Sequence, residues 1–335
     1  MREALFYKKL KDGSVQCQLC PHFCVLKEKE RGKCGVRENR DGKLVSLAYG
    51  RPCSLAIDPI EKKPFYHFLP GEAALSLATV GCNLKCKFCQ NSEISQARPE
   101  EVPFKEIKPE EIVEMAKKQG TKIIAYTYTE PTIFYEYMLE TAKLAKKAGI
   151  KNVIVSNGFI NPVPLKKLCK YIDGANIDLK SIEDKFYREV CEARVKPILE
   201  TLKILKKEKI WTEITNLIIP TLNDSEGGIK KLVEWVKENL GKETVLHFTA
   251  FYPCHKLLGL SPTPIETLKK ARKIALDRGI KYVYTGNLPD EEGNNTFCPK
   301  CNKMLIQRRL FSITENNLNK GKCPKCHEKI DGVWN

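Results

Sequence analysis

The sequence predicts an α/β fold, a (β/α) barrel or part of one, with small metal-binding segments before and after it. Three observations carry this. Between about residues 74 and 288, short β-like runs alternate with amphipathic helical stretches. The runs are apolar almost throughout, as in parallel strands covered on both faces. Eleven of the fifteen cysteines gather in sets before, within and after that span. The expected organisation is a cysteine-rich segment over 1–73, the barrel over 74–288 and a four-cysteine segment over 289–335.

The strands read as ALSLATV (74–80), KIIAYTY (122–128), NVIVS (152–156), GANIDL (174–179), WTEITNLII (211–219), TVLHFTA (244–250) and KYVYTG (281–286). Helix signals lie between them. Pro109 suits a first helical position, with Glu110 and Glu111 at the positive end of the helix dipole. Thr263 and Glu266 read as a capping box, with Pro264 at the first helical position. Gly120, Gly149 and Gly279 fall where helices should end. Six or seven such units suit a barrel better than a two-sided open sheet. Reactive groups in barrels gather where strands end, and the polar residues here follow that rule. Cys82 comes after the first strand, Glu130 after the second, Asn157 after the third, Asp178 and Lys180 after the fourth; His247 lies within the sixth.

Hydrophobic residues make up 42% and charged residues 29% of the 335 residues, ordinary values for a soluble globular protein. No apolar run approaches the ~18 residues of a membrane span, and the start of the chain lacks a signal-peptide core. A cytoplasmic location without a membrane partner is expected, and there C-x2-C pairs read as metal ligands rather than disulfides. The formal net charge of +16 invites a nucleic-acid reading. Most basic residues, however, are lysines on polar helix faces such as AKLAKKAG and LKKARKIALDRG, a solvated surface also common in heat-adapted proteins. Nucleic acid is therefore not favoured as a partner.

The cysteine sets differ in number. Cys17, Cys20, Cys24 and Cys34 form one group of four, and Cys298, Cys301, Cys323 and Cys326 another. The loop GCNLKCKFCQN holds three: Cys82, Cys86 and Cys89. A closed metal site takes four ligands, whereas three leave a coordination position open. Three thiolates on a short loop can hold three irons of a 4Fe–4S cluster; spacing also admits a zinc ion completed by a distant residue.

The C-x3-C-x2-C spacing, with Phe88 before the last cysteine, resembles the signature of the radical S-adenosylmethionine (SAM) superfamily. DPIEKKPFYHFLPG (58–71), YTYTEPTIFYEY (126–137), NIDLK (176–180), IIPTLND (218–224) and VYTGN (283–287) extend the likeness. They resemble relatives of the pyruvate formate-lyase activating enzyme and, more closely, the AmmeMemoRadiSam system radical SAM enzyme. The resemblance implies a partial barrel of the radical SAM type, a 4Fe–4S cluster on Cys82, Cys86 and Cys89, and SAM on its open iron. It also implies reductive cleavage of SAM to a 5′-deoxyadenosyl radical that abstracts hydrogen. An electron donor such as ferredoxin or flavodoxin, and Memo-like and AMMECR-like companions, come with it. Thr129 and Glu130 stand where activating enzymes meet the SAM amino group, with Tyr128 and Thr129 replacing two glycines. Ser156 and Asn157 match a segment near the SAM ribose, and Asp178 and Lys180 match an Asp-Leu-Lys motif. Val155 replaces the aspartate of a monovalent-cation site. His247 either faces adenosine or substrate or is satisfied within its strand. Tyr126, Tyr128 and Tyr135 are cavity or core residues. Cys53, Cys169, Cys191 and Cys254 read as ordinary thiols.

FCPKC and KCPKC read as the two knuckles of a zinc ribbon, a structural staple more than a binding module. The first group has irregular gaps and suits zinc or an auxiliary 4Fe–4S cluster. Three functions compete. The leading one is hydrogen abstraction from a small-molecule or nucleobase substrate. The second is activation of a glycyl-radical enzyme. The third is a zinc-bearing nucleic-acid binder, for which an open metal position has no use.

Overall fold

The computed structural model describes residues 2–334. Eight strands lie side by side in chain order: Pro52–Pro59, Ala73–Thr79, Ile123–Tyr126, Lys151–Ser156, Gly174–Asp178, Trp211–Ile218, Val245–Ala250 and Val283–Gly286. From Ala73 onward every neighbouring pair is parallel. The order never reverses, so there is no switch point of the doubly wound kind. The first and last strands do not pair with each other among the described residues, which leaves the barrel open. All seven expected strands form.

The sheet starts earlier than the expected boundary after residue 73. Pro52–Pro59 pairs antiparallel with Ala73–Thr79. Its flanking prolines disguise it as a strand, yet prolines are tolerated on an edge, where no partner needs their missing N–H.

Helices Pro109–Lys118, Tyr135–Lys147, Pro162–Cys169, Val195–Lys207, Glu226–Leu240 and Ile265–Asp277 connect the strands. Val195–Lys207 shows why they hold. Ile198, Leu202 and Leu205 recur at helical spacing and are buried, while Lys206 and Lys207 close the last turn at the negative end of the dipole. Burying each such side chain contributes about 1.5–3 kcal/mol. Pro109 does open its helix, and Glu111 accepts the Lys108 N–H at 2.7 Å. The three helix-ending glycines all have positive φ. Thr263 is a correction: its hydroxyl accepts Phe251 N–H at 2.9 Å and donates to Ile218 O at 2.6 Å, so it ties strand ends to the helix start instead of capping it.

The four-cysteine tail is not a detached appendage. Its strands Thr296–Phe297, Met304–Arg309 and Ser312–Asn316 form a small sheet. Cys298, Leu305, Ile306, Cys323 and Ile330 share a core with Tyr66, Val245, Tyr282 and Tyr284. Fully buried Arg308 donates to Tyr66 O and Thr296 Oγ1, both at 2.8 Å, and lies 3.7 Å from Glu61. Cutting the tail away would therefore expose barrel core.

Glu61 makes that junction sensitive to pH. Burial pushes its carboxyl up to about 7 despite the pull of Arg308. The folded chain thus keeps a proton that the unfolded chain releases near the ordinary carboxylate value. This contribution to stability is full below about pH 4.5 and is lost as pH rises through about 7. Thermal unfolding of wild type and Glu61→Gln between pH 5 and 8 should show wild type losing about 2–3 kcal/mol relative to the variant. Parallel stability curves would contradict it.

Candidate active site and metal centres

The three-cysteine loop leaves the strand Ala73–Thr79 through Gly81. That residue has φ +103°, and a Cβ there would lie 2.7 Å from Cys34 O, so only glycine fits. The loop is strapped from both sides. Lys85 and Lys87 N–H donate to Cys191 O and Val190 O, each at 2.9 Å, and Asn83 Nδ2 donates to Phe159 O at 2.8 Å. The segment Tyr187–Cys191 that receives those bonds is a π-turn, a form frequent at functional sites. Burial raises the thiols of Cys82 and Cys89, and Cys191 and burial raise Cys86. Such thiols become thiolates when a metal displaces their protons.

Cys82, Cys86 and Cys89 open into a cavity of about 410 Å³, within the range of small-molecule sites. Thr129, Glu130, Ser156, Asn157, Asp178 and Lys180 line the same cavity, because parallel strands deliver their C-terminal ends to one mouth. Glu130 is the best-anchored of them. Its Oε1 accepts Thr132 N–H at 2.9 Å and Ser156 Oγ–H at 2.7 Å, and its Oε2 accepts Asn157 N–H at 2.8 Å. Burial raises its carboxyl against those bonds, so it is a carboxylate short of a cation. Asn157 also donates to Asn83 Oδ1 at 2.9 Å and reaches Cys82 Sγ at 3.7 Å, joining this wall to the loop. The Lys180 ammonium pairs with Asp178 at 2.8 Å. Asn216 and Asn223 bind the Lys180 carbonyl at 3.1 and 2.6 Å, which explains the asparagine of IIPTLND.

Some wall residues were not expected. Lys62 and Lys63 line the cavity, and both ammonium groups pair with Asp58, at 2.8 and 2.7 Å. Tyr128 joins them: its hydroxyl donates to Asp58, and the Lys63 ammonium sits 3.9 Å from its ring centroid. Tyr128 has φ +63°, a left-handed conformation costly for a bulky side chain. The sequence resemblance puts a glycine at this position, the residue that takes such a turn without steric cost. The segment DPIEKKP was the available signal; the strand that ends in its Asp58 and Pro59 was disguised by prolines.

His247 is a correction. It does not line the cavity; it is buried, pairs with Glu213 at 2.7 Å and stacks on Tyr284. Glu213 also accepts the N–H groups of Tyr66 and His67, each at 2.9 Å, and of Trp211 Nε1 at 3.0 Å. Tyr126 and Tyr135 are core residues whose hydroxyls find Asn152 and the Pro164 carbonyl. Two of the cysteines expected to be ordinary lie against the loop: Cys191 faces Cys86, and Cys254 Sγ lies 3.3 Å from Phe88 O. In the tail, the Cys298–Cys326 and Cys301–Cys323 sulfurs are 3.5 and 3.6 Å apart, and all four sulfurs lie within 4.8 Å of one another. The four N-terminal cysteines surround a separate small cavity.

The family model described as the radical SAM superfamily matches residues 76–236, which span the loop and the cavity wall. The chain belongs to the radical SAM superfamily. It is 50% identical to the Methanocaldococcus jannaschii protein MJ0808 over 335 residues, covering 99% of this chain and 100% of the relative. It is 24% identical to the pyruvate formate-lyase-activating enzyme of Clostridium pasteurianum over 212 residues, 60% of this chain and 87% of that one. A radical SAM methyltransferase from Sphaerobacter thermophilus superposes with a TM-score of 0.51 at 13% identity, covering 66% of this chain and 68% of the other; the likeness is one of fold. As a radical SAM protein the chain is an enzyme, and the superfamily implies a 4Fe–4S cluster and SAM. The residues fit both groups: three thiols and a cation-poor buried carboxylate face one cavity. No helix among the described residues is long and apolar enough to cross a membrane.

Proposed function

We propose that this chain is an AmmeMemoRadiSam-type enzyme that abstracts hydrogen from a small-molecule or nucleobase substrate, one that carries a carboxylate or phosphate. Cys82, Cys86 and Cys89 would hold the cluster, and Glu130 would bind the SAM ammonium. Ser156 and Asn157 would sit beside its ribose. When bound, the cluster supplies the electron that cleaves SAM to methionine and a 5′-deoxyadenosyl radical. The observation that carries the substrate class is the wall opposite the loop. Two ammonium groups, Lys62 and Lys63, share one carboxylate, Asp58, while Lys180 is matched by Asp178. With Glu130 taken by the SAM ammonium, that leaves one positive charge unbalanced on the Asp58 side of the cavity, where a substrate carboxylate or phosphate is favoured.

A second reading, activation of a glycyl-radical enzyme, draws on the names of the relatives. Phe311 from the tail borders the cavity and narrows the approach of a folded protein, which favours the small-molecule reading. Anaerobic reduction with SAM and deuterated candidates, followed by mass spectrometry of 5′-deoxyadenosine, separates the two. Deuterium from a small anion supports the proposal; deuterium arriving only from a protein glycine overturns it. Ferredoxin or flavodoxin would supply the electrons, and Memo-like and AMMECR-like proteins are the companions to test.

The tail sulfurs have the close spacing of a tetrahedral zinc site, and we assign them zinc with a structural role. Because Cys298 and Cys323 belong to the core shared with the barrel, Cys301→Ser should cost about one zinc per chain and lower the melting temperature, with loop iron unchanged. Metal analysis showing the wild-type zinc content in that variant would refute the assignment.

A further inference from the structure

We propose that Cys17, Cys20, Cys24 and Cys34 hold a second 4Fe–4S cluster rather than zinc, and that it passes electrons to the Cys82–Cys89 loop from behind. Spacing is the first observation. Four thiolates sharing one zinc at about 2.3 Å bring their sulfurs within about 4 Å of one another. The tail set has that spacing, and among the described residues no other three cysteine sulfurs lie mutually within 4.8 Å. The N-terminal thiols nevertheless face one cavity. They ring it more widely than the tail set does, no three of their sulfurs lying mutually within 4.8 Å, and the same holds of the three loop thiols. A cluster, in which each thiolate binds a different iron, requires such a ring.

The wall is the second observation. Arg37 lines this cavity and is 2% exposed. Its Nη1 points at Cys17 Sγ from 3.9 Å, and its Nε has no partner in the protein. Lys33 N–H donates to Cys24 Sγ at 3.5 Å. Donors aimed at ligand sulfur, here one from buried Arg37 and one from the backbone of exposed Lys33, stabilise the negative charge of a thiolate-bound cluster.

Placement decides the role. The residues on both sides of Cys82 touch this lobe: Gly81 abuts Cys34 O, and Asn83 lines the cavity while its carbonyl accepts His22 Nε2–H at 2.7 Å. None of the four cysteines lines the large cavity, so a cluster here does not meet substrate. Electron transfer remains. One electron enters from an external donor of the ferredoxin or flavodoxin class and moves on to the loop site. The donor is oxidised by one electron and the loop site is reduced by one.

The test uses the full chain, reconstituted anaerobically with iron and sulfide in the presence of zinc. In Cys82→Ala/Cys86→Ala/Cys89→Ala, about four irons per chain should remain, with the electron paramagnetic resonance signal of a reduced 4Fe–4S cluster. A second zinc in place of that iron, or no metal beyond the tail zinc, would overturn the proposal whatever becomes of the loop assignment. Cys20→Ala and Cys24→Ala, two variants in case one fails to fold, should slow reduction of the loop site by flavodoxin at least ten-fold while titanium(III) citrate still reduces it. Equal slowing or no slowing with both reductants would refute the relay.

Discussion

Cys86→Ser should abolish 5′-deoxyadenosine formation and remove about four irons per chain, while the tail zinc stays. Serine is a poor substitute for a thiolate on iron, and the three loop thiols are the ligands that leave one iron open. The other cysteine sets face different spaces, so their metals should not move. The neighbouring Cys191 gives the experiment a sharper form, because its thiol faces Cys86. Should Cys86→Ser retain loop iron, adding Cys191→Ser would have to remove it. Metal analysis and product chromatography on the parent and both variants read these outcomes. SAM cleavage at the parent rate by the double variant would end the assignment of this loop.

Glu130→Gln should weaken SAM binding by ten-fold or more and leave the iron in place. Losing one charge-assisted bond costs about 1–3 kcal/mol. The structure adds a second penalty. Both carboxylate oxygens already accept N–H or O–H groups from Thr132, Ser156 and Asn157. A glutamine must turn its amide donor toward one of those donors. The wild-type enzyme should also bind SAM less well as pH falls, since burial has raised the Glu130 carboxyl and a proton there competes with the ammonium. The variant should lack that acid limb. Equilibrium binding of SAM to both proteins across pH, with iron measured alongside, is decisive: wild-type affinity in the variant would sink the role, and lost iron would show that Glu130 only holds the loop.

The line between legible and hidden features runs through particular residues. Cys82, Glu130, Asn157, Asp178 and Lys180 could be brought together from the sequence because strand–helix alternation fixes which strand ends share a mouth. Asp58, Lys62 and Lys63 were hidden, since Asp58 lies at the end of an edge strand bounded by prolines and the two lysines lie in the short turn that follows it. Tyr128 was visible as a residue but not as a left-handed turn; backbone φ leaves no mark when the usual glycine is replaced. The tail read as an independent staple because Arg308 meets Glu61 and Tyr66 across more than two hundred residues of chain.

His247 shows the same limit at one position. The apolar run around it identifies its strand, and nothing local names its partner. Register does: Thr215 lies opposite His247 in the parallel pair, so Glu213, two residues before it, points to the same side and captures the imidazole. Periodicity and thiol spacing are local properties, carried by neighbours within a few residues, and they are enough to define the barrel, its reactive end and an open metal site. Which buried charges meet, how far apart four sulfurs stand, and which side chain reaches the cavity depend on contacts between distant segments, and these exist once the strands have found their register.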